Sequence, residues 1–131
     1  MEQTYRLSKH SVFNLNYHIV FCPKRRKPVL VDDIANDLKS IIYSTVEEIG
    51  CQVETCEIMP DHVHIFIRSL PTISPHRIVK DIKGRSSRIL RQKYPQLLKL
   101  PALWSRSYYA GSVGYVSESV VKMYIENQKG K

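Results

Sequence analysis

The segment Pro60-Asp61-His62-Val63-His64-Ile65-Phe66-Ile67-Arg68 constrains the fold more than any other stretch of this chain. Side chains of a strand alternate between two faces. Val63, Ile65 and Ile67 therefore share one side, and His62, His64, Phe66 and Arg68 share the other. The first side is uniformly apolar and has to lie under covering helices. The second presents two imidazoles roughly 7 Å apart along the strand. A strand divided in this way belongs to a sheet covered on one face only.

The rest of the chain supplies such a sheet. Asn14 to Cys22 alternates, with Leu15, Tyr17, Ile19 and Phe21 against Asn16, His18, Val20 and Cys22, and predicts a half-buried strand. A basic loop bracketed by prolines follows, Pro23 to Pro28. Asp32 or Asp33 is expected to cap a helix whose apolar positions Ile34, Leu38, Ile41, Ile42, Thr45 and Ile49 follow the 3.6 period, with Gly50 ending it. Residues 51–58 and 62–69 read as strands joined by Met59-Pro60-Asp61. A second helix should start at Ser74 or Pro75, bury Ile78, Ile82, Ile89 and Leu90, and end near Pro95. A fourth strand fits Ser107 to Val113, and Ser117 should cap a last helix, roughly 118–129. The order β-α-β-β-α-β-α predicts an α+β, ferredoxin-like (RRM-like) antiparallel sheet with two helices on one face, plus an extra C-terminal helix. Without repeats or linkers, residues 1–131 are expected to form a single domain.

Charge narrows the partners. Twenty Lys and Arg against 12 Asp and Glu give +8, which favours nucleic acid or an anionic membrane surface. No apolar run approaches the ~20 residues that span a bilayer, and the N-terminus lacks the form of a secretory signal; the expectation is a cytoplasmic chain with no membrane association. Cys22, Cys51 and Cys56 show no CxxC spacing and read as reduced, buried thiols. On a common strand, the odd offset of Cys51 and Cys56 would put them on opposite faces, against a shared zinc. The chain has no GxxxxGK(S/T) phosphate loop.

Two places carry chemistry. The imidazoles of His62 and His64 can lean onto one divalent ion, or be two surface histidines that alternate. In the last helix Tyr124 and Gln128 lie one turn apart, about 6 Å along the axis and on one face. An amide oxygen suits Mg²⁺ or Mn²⁺, and a phenol one turn away would stand beside the ion. Equally, Tyr124 could be a core aromatic following Val120, and Gln128 a solvated helix end. Lys24, Arg25, Arg26 and Lys27 form one basic cluster. Arg77, Lys80, Arg88 and Arg91, with Lys83 and Arg85 nearby, form another along the second helix. Both read as phosphate contacts or as solvated faces. The charge balance favours DNA contacts, with Lys24, Arg25, Arg26, Lys83, Arg85 and Arg88 foremost.

These residues resemble a known family. A strand with His-hydrophobic-His after Pro-Asp, then a C-terminal helix with Tyr124-Ile125-Glu126-Asn127-Gln128, resembles the HUH single-tyrosine transposases of the insertion-sequence 200/605 family, the TnpA type. The likeness extends through Tyr17-His18-Ile19-Val20-Phe21 with Lys24 and Arg26, Lys83-Gly84 with Ser86-Ser87-Arg88, Leu103-Trp104-Ser105 with Ser107-Tyr108-Tyr109, and Val113-Gly114. It implies that His62, His64 and Gln128 hold Mg²⁺ or Mn²⁺ and that Tyr124 is the nucleophile. It further implies a 5′-phosphotyrosine intermediate, single-stranded DNA substrates with subterminal hairpins, and a homodimer in which the Tyr124 helix serves its own or its partner's histidines. Gly111 and Gly114 either free that helix to swing or simply end a strand. His18 either lines the metal site or supports a ligand from behind. The chain's end soon after Gln128 sets the expectation apart from the repeat-associated tyrosine transposases. A replication-initiator or relaxase-like nickase would share the histidines and tyrosine on a longer chain. A passive RRM-like binder would place stacking aromatics where His62 and His64 stand.

Overall fold

A computed structural model describes residues 6–7, 12–13, 15–112 and 118–131. A two-stranded antiparallel ribbon, β1 (Arg6–Leu7) with β2 (Val12–Phe13), precedes the main sheet and was not expected from periodicity. The succession is then β3 (Leu15–Phe21), α1 (Asp32–Ile49), β4 (Gln52–Met59), β5 (His62–Ser69), α2 (Pro75–Lys93), β6 (Tyr109–Ser112) and α3 (Glu118–Asn127). The four long strands pair in the order β4-β5-β3-β6, antiparallel throughout. This is the expected α+β architecture: the two central strands are the first and third of the βαββαβ unit, with α1 and α2 packed together over one face.

The division of β5 holds. Val63, Ile65 and Ile67 are fully buried among Ile19 and Phe21 of β3, Leu38 and Ile42 of α1, and Ile78, Ile82 and Leu90 of α2. Each such side chain contributes on the order of 1.5–3 kcal/mol by leaving water. Ile89 is only half-buried, and Val79 and Ser86 take the inward positions beside it. Gly50 ends α1 with φ +97°, where a Cβ would also meet Leu70 Cδ1 at 3.3 Å. Ser74 caps α2 by accepting from the Arg77 amide at 3.1 Å.

Two expectations fail. Neither Asp32 nor Asp33 caps α1. The cap position is Val31 with no side-chain hydrogen bond, and both carboxylates lie inside the first turn, where they favour the positive end of the helix dipole. Nor do Cys51 and Cys56 face apart. Between Val53 and Thr55 the pairing of β4 with β5 slips, because Glu54 is an extra residue. This β-bulge reverses the alternation, so that Cys51, Val53, Cys56 and Ile58 all pack against the same core. Glu54 itself reaches Arg68 at 2.8 Å. All three thiols are free, and burial pushes those of Cys22 and Cys56 up to about 11. No helix among the described residues is long and apolar enough to cross a membrane.

Candidate functional site

The two-residue turn Pro60-Asp61 delivers β5 with His62 at its first position. Asp61 Oδ1 lies 2.9 Å from His62 Nδ1. A carboxylate only accepts, so Nδ1 carries the proton and the Nε2 lone pair is left available, the arrangement commonly found behind a metal-bound imidazole. One pleat further on, His64 Nε2 lies 2.9 Å from His18 Nδ1 on the neighbouring β3. The His18 ring stands between those of His64 and Phe66, with centroids at 5.1 and 4.9 Å. Burial holds His18 and His64 below the usual imidazole value. Both are therefore neutral near pH 7, the form that donates a lone pair. The contact with His18 also buries Phe66, so this face is less bare than alternation alone predicts.

Beyond β3, backbone bonds from Lys24 N to Leu103 O (2.8 Å) and from Ser105 N to Cys22 O (3.0 Å) pin residues 103–105 beside the basic loop. Trp104 is part of this anchor and not a base-stacking surface: its indole packs edge-on against Phe21 at 4.8 Å and donates to Ser86 Oγ at 3.0 Å. Lys83 of α2 completes it. Its ammonium reaches Ser105 O and Ser107 O, both at 2.8 Å, above the Phe21 ring. Burial pulls this lysine down to about 8.

The anchored segment presents Ser107 to α3. Ser107 Oγ lies 3.1 Å from Tyr124 Oη and donates to Gln128 Oε1 at 3.0 Å. Tyr124 lines an open cavity of about 450 Å³ with Lys24, Ser105, Ser107, Asn127 and Gln128 among its walls. Burial raises the phenol above its ordinary value. The Tyr109 ring stands 6.4 Å from that of Tyr124.

The structure thus joins Tyr124 with Gln128 through Ser107, and sets His62 and His64 together on β5. It links the two groups through Arg26: Nε pairs with Asp61 Oδ2 at 3.1 Å and Nη1 donates to Ile125 O at 3.2 Å. Arg25 and Arg26 both have positive φ, +59° and +53°, a conformation costing on the order of 1 kcal/mol or more for each side-chain-bearing residue. Two imidazoles and an amide oxygen with a second lone pair are a suitable donor set for Mg²⁺ or Mn²⁺. Among the described residues, His, Cys, Asp and Glu alone form no cluster of three with metal-site geometry.

The basic residues divide. Lys24 lines the cavity, and Arg25 and Arg88 are exposed. Arg85 is paired with Glu48 at 2.6 Å, Arg91 donates to Leu100 O at 3.1 Å, and Lys83 faces inward. Gly111 sits within β6 opposite His18, while Gly114 and Ser117 lie outside the described residues. Ser107, Lys83 in its inward role and the Arg26–Asp61 pair are what periodicity did not reveal. The one available hint was Asp61, whose strand parity put it beside the histidines but off their face.

The family model described as "Transposase IS200 like" matches residues 11–128. The ISDra2 transposase TnpA of Deinococcus radiodurans is 37% identical over 123 residues, covering 92% of this chain and 88% of its own. A transposase for insertion sequence element IS200 from Salmonella typhimurium is 28% identical over 122 residues, covering 91% and 80%. A crystal structure of a candidate transposase from Deinococcus radiodurans superposes with a TM-score of 0.88 at 32% identity, covering 96% of this chain and 99% of that one. A REP-associated tyrosine transposase bound to a REP hairpin shares the fold, with a TM-score of 0.57 at 10% identity, covering 92% and 69%.

Proposed function

From the premise that this chain belongs to the IS200-like transposase family, we propose that it cleaves and rejoins single-stranded DNA at the ends of an insertion sequence, with Tyr124 as nucleophile. The observation that carries this reading is Tyr124 Oη on the wall of an open cavity, held by the same Ser107 hydroxyl that holds Gln128. In the reaction, the Tyr124 oxygen bonds to the scissile phosphorus while the bond from phosphorus to the 3′ oxygen breaks. The phenolic proton is given up and the departing 3′ oxygen gains one. The product is a 5′-phosphotyrosine and a free 3′-hydroxyl. Attack by a 3′-hydroxyl on that linkage reverses the exchange, so rejoining needs no nucleotide cofactor.

His62, His64 and Gln128 would hold Mg²⁺ or Mn²⁺, which when bound supplies positive charge against the scissile phosphate and favours the phenolate. The chain's own contribution is orientation. Asp61 fixes the His62 tautomer, Ser107 fixes the Tyr124 hydroxyl, and Lys24 adds positive charge to the cavity wall. The substrate we propose is single-stranded DNA with subterminal hairpins, handled by a homodimer; Lys24, Arg25 and Arg88 are the basic residues best placed to meet its phosphates.

The test is incubation of end-labelled single-stranded DNA, copied from the sequence flanking the gene, with the protein and Mn²⁺, followed by a denaturing gel. A covalent adduct is expected with the native chain and none with Tyr124→Phe. Binding without any adduct in the native chain would assign it to the passive binders.

A further inference from the structure

The loop Pro23–Pro28 reads in sequence as a phosphate contact, yet Arg26 faces inward and bridges two parts of the site. Its Nε meets Asp61 Oδ2 at 3.1 Å, and the other oxygen of that carboxylate lies 2.9 Å from His62 Nδ1. Its Nη1 donates to Ile125 O at 3.2 Å, between Tyr124 and Glu126 on α3. We propose that Arg26 and Asp61 are positioning residues that couple the orientation of His62 to the seating of the helix that carries Tyr124.

Three observations support the coupling. A guanidinium offers donors in a fixed planar fork, so engaging a carboxylate with one nitrogen dictates where the others point. Here the fork spans from Asp61 to the α3 backbone. The backbone at Arg25 and Arg26 adopts the left-handed conformation at two successive residues that carry a Cβ, and such geometry persists where surrounding contacts over-determine it. Finally, Arg26 is tied at both ends while its neighbour Arg25 is exposed. One basic loop thus contains a free cation and a committed one. The consequence is reciprocal: when α3 leaves its seat, Asp61 loses part of what holds it, and His62 loses part of what orients it for a ligand.

The inference rests on the metal-site reading above, and its test separates the two. Mn²⁺ affinity is measured calorimetrically on the DNA-free chain, together with amide hydrogen exchange of α3 and affinity for a hairpin strand. Arg26→Gln is expected to speed exchange across α3 roughly tenfold, as loss of one charge-assisted hydrogen bond implies. It should also weaken Mn²⁺ several-fold, with β3 and β5 amides unchanged. Asp61→Ala should weaken Mn²⁺ at least tenfold, the usual scale for removing the group behind a ligating histidine. Adding Arg26→Gln to it should weaken Mn²⁺ no further. Arg26→Lys keeps the charge but not the fork, and should restore neither readout. Full restoration by lysine would overturn the proposal in favour of simple charge. Loss of hairpin affinity with α3 exchange and Mn²⁺ binding unchanged would overturn it in favour of a phosphate contact. A native chain that binds no Mn²⁺ would overturn both this inference and the metal site, whereas native binding with unaltered variants would remove this inference alone.

Discussion

Ser107 has one hydroxyl proton, and its two neighbours decide where it points. Gln128 Oε1 only accepts, so Ser107 donates to it and must itself accept from Tyr124 Oη. The resting tyrosine is therefore a protonated donor, in keeping with the upward push that burial gives it. Ser107→Ala removes the acceptor that aims the phenol. We expect adduct formation to fall about five- to tenfold, the worth of one hydrogen bond, with hairpin affinity retained; single-turnover cleavage against binding measures the split. Tyr124 and Gln128 could be paired in sequence because helix geometry places residues four apart on one face. Ser107 could not be added to them, because its contact with Tyr124 crosses 17 residues between elements. No periodicity relates a loop residue to a helix docked beside it.

At the scale of the element, α2 shows how a basic stripe misleads. Val79, Ile82, Ser86 and Leu90 are among its buried positions. Lys83 lies four after the first and three before the third, so helix spacing already set it at the border of the buried side. Where its ammonium goes is decided by Ser105 and Ser107, which belong to a different segment. With Lys83 lowered to about 8 from 10.5, the unfolded chain keeps a proton between those values that the folded chain has released. Stability from this group therefore rises with pH across that window. Lys83→Met should abolish this rise, seen as a difference in urea midpoints between the native and variant chains near pH 8 and pH 10. It should also lower cleavage, because residues 105–107 lose two donors, while leaving hairpin affinity nearly intact. A fall in affinity equal to the fall in rate would return Lys83 to the phosphate contacts.

For the whole molecule, the total of 20 Lys and Arg overstates the free positive surface. Arg85 is paired with Glu48, Arg68 with Glu54, and Lys93 with Asp37. Arg88 remains exposed on α2. Binding of a single strand should weaken with salt, and Arg88→Ala should reduce the slope of log affinity against log salt by about 0.7 if it neutralises one phosphate. Arg85→Ala should change the slope less; equal changes would show that the Glu48 pair opens on binding. The sheet, its helices and the histidine face were legible because each follows from a repeating period of apolar residues. The capping of α1 and the facing of Cys51 were not, because each turns on a local departure from the period.

That departure at Glu54 has a genetic corollary. Losing the single codon for Glu54 would leave the reading frame intact and remove the extra residue, so that Cys51, Val53, Cys56 and Ile58 fall at alternate positions of a regular strand and keep their common face. Losing the codon for Glu57 instead would make Cys56 and Ile58 adjacent and opposite-facing, and one of them would have to turn its side chain to water. The same deletion in an exposed loop such as 71–72 would shift no such alternation. Tolerance to shortening in this protein should therefore follow strand phase more closely than distance from Tyr124.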